Sequence, residues 1–261
     1  MLRILRPKVI AGMVAAAAAV GAGVAMSVPA GAVANARDAE DGAFPFAVKF
    51  LMSDIPKPDG STYDSACSGA LIDPQWVITA GHCFHDVDRK PVSGPTPYAT
   101  TAIVGRTDDA EADKGHEVDV VEVRQSPVSD VAVVKLKKPI KDVRPLALRS
   151  AAPRPGETLV LAGWGQESAD ATEPATHLQV GKVRIQEVQD KITTVTGSWP
   201  SADTSACPTD SGAPYFENHR GANALVSVES GGPECPHAQQ ERTSRVDVIA
   251  DWIKKQINES Y

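Results

Sequence analysis

Three side chains far apart in this chain have the types needed for nucleophilic acyl transfer: His82, Asp130 and Ser211. A serine hydroxyl needs a base to take its proton, an acid to fix that base's tautomer, and N–H donors for the oxyanion. His82 follows an apolar run in Thr79-Ala80-Gly81-His82-Cys83, beside a cysteine able to pin the turn. Asp130 stands immediately before the apolar run 131–136, where a buried carboxylate needs a donor. Ser211 lies in Cys207-Pro208-Thr209-Asp210-Ser211-Gly212-Ala213-Pro214, a tight turn suited to displaying a hydroxyl. Singly, each has an ordinary structural role, as a surface histidine, a turn aspartate or a turn serine. Their order, with cysteines close to two of them, makes them a constellation.

The elements that must position them read mostly as strands. Short runs at 46–51, 69–72, 76–80, 102–104, 118–123 and 131–136 are rich in β-branched residues and too short for helices. The second half continues with 158–162, 179–188, 192–195 and 224–228. Only the end differs: Val246, Ile249, Ala250, Trp252, Ile253 and Ile257 recur at helical spacing and predict one helix from about 247 to 258. The pattern predicts an all-β protein of barrels or sandwiches closed by a C-terminal helix. Pro139, Pro145, Pro153 and Pro155 mark residues 139–156 as a linker. It separates a first set of strands (33–138) from a second (157–245), with 246–261 as the terminal helix. No sequence repeat relates the two sets.

Residues 1–32 read as a signal peptide. Arg3, Arg6 and Lys8 precede an apolar stretch over 9–26, and Ala30-Gly31-Ala32 supplies the small residues a signal peptidase needs. Its glycines and alanines make it too weakly hydrophobic for a membrane anchor. Export permits disulfides among Cys67, Cys83, Cys207 and Cys235, and three pairings are open on arithmetic alone. The formal charge of −7, more acidic still beyond residue 32, argues against nucleic acid and anionic membranes as partners. Asp108, Asp109, Glu111, Asp113, Glu117 and Asp119 read as a solvated loop rather than a Ca²⁺ site. His85, His116, His177, His219 and His237 lack metal-ligand spacing, and no dinucleotide or phosphate-cradling motif occurs.

The segments Cys67-Ser68-Gly69-Ala70-Leu71-Ile72 through Thr79-Ala80-Gly81-His82-Cys83, Ser129-Asp130-Val131-Ala132-Val133-Val134-Lys135-Leu136, Gly163-Trp164-Gly165 and Asp251-Trp252-Ile253 resemble the chymotrypsin-like (trypsin family) serine proteases. The resemblance is to the secreted bacterial type and covers essentially everything after residue 32. It implies two six-stranded antiparallel β-barrels with a C-terminal α-helix and a site in the cleft between them. It pairs Cys67 with Cys83 and Cys207 with Cys235, each worth roughly 3 kcal/mol in the chain-entropy account. It makes Ser211 the nucleophile, His82 the general base and then acid, and Asp130 the group that orients the imidazole. Thr209 and Ser211 take the place of the oxyanion donors, and Ser205, Ser230, Gly232 and Glu241 that of the substrate pocket. Val33 falls where relatives carry the ammonium that pairs with the aspartate beside the nucleophile, here Asp210. Signal cleavage after Ala32 would create that end directly. The implied partner is a peptide or protein substrate, with a protein inhibitor as a second. The implied enzyme is an extracellular monomer with neither metal nor organic cofactor.

Departures from the family pattern matter as well. Thr209 stands where glycine is usual, and a β-branched residue disfavours positive φ. The alternative reading is therefore a catalytically weak or silent binding protein on a protease fold. Ser205 replaces the pocket aspartate that selects Arg or Lys, which favours apolar side chains. Glu241 reads either as a carboxylate facing into that pocket or as a surface residue of a rearranged loop.

Overall fold

The computed structural model describes residues 33–166, 168–219 and 221–259, so the signal-peptide reading of 1–32 lies outside the described residues. Six strands form the first barrel: β1 (Ala47–Pro56), β2 (Thr62–Asp73), β3 (Trp76–Thr79), β4 (Ala99–Val104), β5 (His116–Gln125) and β6 (Ala132–Leu136). Six more form the second: β7 (Thr158–Gly163), β8 (Gln179–Val188), β9 (Ile192–Trp199), β10 (Pro214–His219), β11 (Ala222–Gly231) and β12 (Glu241–Arg245). The barrels are antiparallel and closed in the same order. β1-β2-β3-β6-β5-β4 returns to β1, and β7-β8-β9-β12-β11-β10 returns to β7. Closure leaves no long unpaired edge. The two halves thus repeat in topology although not in sequence.

Apolar residues on the inward faces drive this arrangement. Val48, Phe50, Ala70, Ile78, Ala102 and Val134 fill the first barrel; Leu159, Leu161, Val183, Val195, Tyr215 and Val226 fill the second. Between them Phe46 meets Phe216 of β10 edge to face, with ring centroids 5.2 Å apart. The segment joining the barrels is fastened to both. Ile140 N–H donates to the Pro74 carbonyl, Leu146 N–H to that of Leu71 and Arg149 N–H to that of Leu225. A 3₁₀ turn (Asp247–Ile249) leads into α1 (Ala250–Asn258), whose Ile253 is fully buried.

Two strands, β10 and β12, have no counterpart among the apolar runs of the sequence. β12 reads Glu-Arg-Thr-Ser-Arg yet four of its five residues are buried. Its Thr243 is satisfied by hydroxyls of the neighbouring strands, Thr193 of β9 at 2.6 Å and Ser227 of β11 at 2.8 Å. Hydrophobic periodicity does not register a strand buried through hydrogen bonds. Among the described residues no helix is long and apolar enough to cross a membrane.

Candidate active site

Each element of the constellation arrives from a different place. His82 sits on a one-turn 3₁₀ helix (Gly81–Cys83) that follows β3, and the Cys67–Cys83 disulfide ties this turn to β2. Asp130 ends the loop before β6. Ser211 lies in the turn between β9 and β10, and the Cys207–Cys235 disulfide joins that turn to the loop after β11. At the barrel interface His82 Nδ1 is 2.8 Å from Asp130 Oδ2, and His82 Nε2 is 2.8 Å from Ser211 Oγ. Asp130 also accepts the His82 backbone N–H at 2.8 Å and the Ser230 hydroxyl at 2.6 Å. Burial pushes the Asp130 carboxyl up, but the bonds from His82 and Ser230 outweigh it and hold it below the ordinary carboxylate range. A carboxylate can only accept, so Nδ1 carries the imidazole proton and the Nε2 lone pair faces the serine.

The turn that presents Ser211 is fastened on every side. Asp210, fully buried, accepts the N–H groups of Gly165 at 2.8 Å and Cys207 at 2.9 Å. Gln166 N–H donates to the Pro208 carbonyl at 2.7 Å, which fixes the plane of the Pro208–Thr209 peptide and aims the Thr209 N–H away from Gln166. Thr209 takes φ +74°, the left-handed region that favours glycine. Its hydroxyl lies 3.4 Å from the Trp164 carbonyl, and its own carbonyl accepts from Ser68 Oγ at 3.1 Å. Among the described residues neither the Thr209 nor the Ser211 N–H donates to a protein acceptor. Ser68 holds the turn a second time, its N–H donating to the Ser211 carbonyl at 2.9 Å. The sequence reading missed Ser68; a serine directly after a half-cystine carries no signal of its own.

A cavity of about 270 Å³ opens beside Ser211, lined among others by Ala206, Cys207, Glu229, Gly231 and Gly232. Ser205 and Glu241 lie behind this lining, buried to 1% and 2% exposure. Ser205 Oγ accepts from His237 N–H at 3.1 Å, and Glu241 Oε1 accepts from Ala206 N–H at 2.6 Å. Glu229, also buried, is a carboxylate of this wall that strand periodicity did not reveal, because the apolar run 224–228 stops one residue short of it. Val33 is completely buried against the second barrel's core, and Ala34 exchanges backbone bonds with Ser205 at 2.9 and 3.2 Å. Four of the six acids of the run form ion pairs: Asp109 with Lys49, Glu111 with Lys114, Glu117 with Arg106, and Asp119 with Lys137. Among the described residues no group of three or more His, Cys, Asp or Glu side chains is placed to hold a metal ion.

Comparison with known proteins places these residues in context. The family model described as Trypsin matches residues 33–253. The chain is 27% identical over 73% of its length to suppressor of tumorigenicity 14 protein homolog of Bos taurus, of which it covers 25%. It is 27% identical over 64% of its length to kallikrein 1-related peptidase b26 of Mus musculus, covering 70% of that protein. It is likewise 27% identical over 85% of its length to transmembrane protease serine 11C of Mus musculus, covering 52%. The chain thus spans from a quarter to seven-tenths of these relatives' lengths. All three are mammalian, so the bacterial type expected from the resemblance finds no support in them.

Proposed function

Since this chain belongs to the trypsin family, we propose that it is a secreted serine endopeptidase that hydrolyses peptide bonds through an acyl-enzyme on Ser211. The observation that carries the reading is the unbroken series of hydrogen bonds from Ser230 through Asp130 and His82 to Ser211. Ser211 Oγ attacks the scissile carbonyl while His82 Nε2 takes its proton and then returns it to the leaving amine. Asp130 keeps Nδ1 protonated and stabilises the imidazolium. The carbonyl oxygen, now negative, is received by the Thr209 and Ser211 N–H groups. Water repeats the sequence to release the acid. Substrates are peptides or proteins, a protein inhibitor fits the same cleft, and the enzyme works as a monomer.

Cleavage after Ala32 gives a Val33 ammonium, which pairs with Asp210, so export and activation are one proteolytic event. The burial of Val33 and the Ala34–Ser205 pairing support this reading. N-terminal sequencing of the secreted protein tests it, and a start at Asn35 or later excludes it.

The test of activity is labelling by a fluorophosphonate probe. Ser211 is expected to label rapidly, and Ser211→Ala supplies the blank. Absence of labelling in a folded, correctly processed protein would favour the silent binding module instead.

A further inference from the structure

Lys49 is a buried cation to which the mechanism above gives no part. It stands in β1 between Val48 and Phe50, which fill the first barrel, so strand alternation turns its side chain to the outer face, yet only 3% of it is exposed. Burying a charge is costly unless the charge is paired and hydrogen-bonded. Lys49 Nζ donates to Asp109 Oδ2 at 2.6 Å and to the Ala175 carbonyl at 2.8 Å, and it lies over the Trp164 ring, 5.2 Å from the centroid. Asp109 belongs to the first half of the chain. Trp164 and Ala175 belong to the second, at the two ends of a stretch between β7 and β8 that contains no strand.

Both of these second-half contacts lead to the turn that presents Ser211. Ala175 N–H donates to the Gly165 carbonyl at 2.9 Å, so one residue stands between the ammonium and the Gly165 peptide. Gly165 N–H is given to Asp210, Gln166 N–H to the Pro208 carbonyl, and the Trp164 carbonyl faces the Thr209 hydroxyl. Past Ala175 the chain is laid along the first barrel: Asp109 N–H donates to the Thr176 carbonyl and Leu178 N–H to that of Thr107, each at 2.8 Å. A strandless stretch takes one conformation only where such contacts fix it. An ammonium has three donors and can hold a carboxylate and a carbonyl at once, which an apolar side chain of similar length cannot.

We propose that Lys49 is a positioning residue for acyl transfer: its ammonium fixes Ala175 and Trp164, and through them the Gly165 and Gln166 N–H groups that hold Asp210 and the Pro208–Thr209 peptide beside Ser211. The proposal rests on the reading of Ser211 as nucleophile. Lys49 itself touches none of the reacting atoms. A lysine that merely joined the two halves would act through Asp109 and leave turnover alone.

Two substitutions separate these roles. Lys49→Met and Asp109→Asn both remove the ion pair, but only the first removes the bond to Ala175 and the cation over Trp164. Both are expected to lower the urea midpoint. Only Lys49→Met is expected to lower kcat on a chromogenic peptide amide, by about tenfold or more at nearly constant KM, since the donors it steadies act in the transition state. Parental kcat in Lys49→Met, or an equal loss in Asp109→Asn, would overturn the proposal. Should Lys49→Met fail to fold, Ala175→Pro decides: it leaves the lysine and its carboxylate in place and removes the N–H given to Gly165. A similar fall in kcat is expected, and an unchanged kcat would reject the role. Fluorophosphonate labelling of the parent keeps the premise apart from the proposal. An unlabelled parent removes Ser211 as nucleophile and Lys49 with it, whereas a labelled parent with indifferent variants rejects Lys49 alone.

Discussion

Thr209 shows how a residue of unfavoured type is held in the left-handed region beside Ser211. A threonine at φ +74° costs on the order of 1–2 kcal/mol relative to an unstrained position. The Gln166 and Ser68 bonds on the adjoining carbonyls keep it there. If the Thr209 N–H is the oxyanion donor proposed above, Thr209→Gly is expected to change kcat by less than the roughly 10²–10³ that one such donor is worth. Stability should rise by no more than about 1 kcal/mol, as relief of strain is offset by the greater freedom of unfolded glycine. Steady-state kinetics and denaturant melts check both; a hundredfold gain in kcat would show that threonine turns the donor away. Ser230 acts one step further out. Its bond lowers the Asp130 carboxyl, so the stability it confers is present above the unfolded carboxylate value near about 4 and is lost as pH falls through the folded value. Ser230→Ala is expected to lose stability above that pH and to converge with the parent in more acidic melts.

At the scale of elements, β2 is the strand on which the second barrel's turn is hung. Ser68 receives Trp164 N–H on its hydroxyl at 3.1 Å while donating to Thr209, and its carbonyl accepts the Thr79 hydroxyl at 2.7 Å. Ser68→Ala leaves the buried Trp164 N–H and the Thr209 carbonyl unpaired. The expected loss is about 1–3 kcal/mol of stability, with a fall in kcat at nearly constant KM that circular-dichroism melts and kinetics together would reveal. Ser68→Thr, which keeps the hydroxyl, is expected to recover part of kcat; failure of both variants alike would reduce Ser68 to a packing residue. The strand 179–188 is visible as a periodic run and is β8 as observed. By contrast β12, and the last residues of β11 that carry Glu229 and Ser230, bury polar groups and show no apolar alternation. Closure into barrels does not follow from strand spacing, which equally permits sandwiches; it was legible only through resemblance. His82, Asp130 and Ser211 were visible through their local contexts. The inward turn of Glu241 was legible only as one of two alternatives, since it depends on Tyr215 and Ala206 from distant parts of the chain.

On the scale of the molecule, the second barrel buries three carboxyl groups, Asp210, Glu229 and Glu241. Asp210 is the deepest, and desolvation raises its pKa well above the ordinary value despite the bonds from Cys207 and Gly165. Such a group binds its proton more tightly folded than unfolded. The stability it contributes is therefore full below the unfolded carboxylate value near about 4 and is lost as pH rises from there through the folded value. On the proposal that a chain beginning at Val33 pairs its ammonium with Asp210, that cation would reverse this by returning the carboxyl to its charged form. Two forms, one starting at Val33 and one with a single alanine before it, are expected to melt alike near pH 4. They should diverge as pH rises toward 7, with the shorter form the more stable. Asp210→Asn is expected to abolish the difference. Urea midpoints measured across that range decide the matter: parallel pH profiles for the two forms would mean that the new terminus and Asp210 never meet, and that export alone does not complete the oxyanion site.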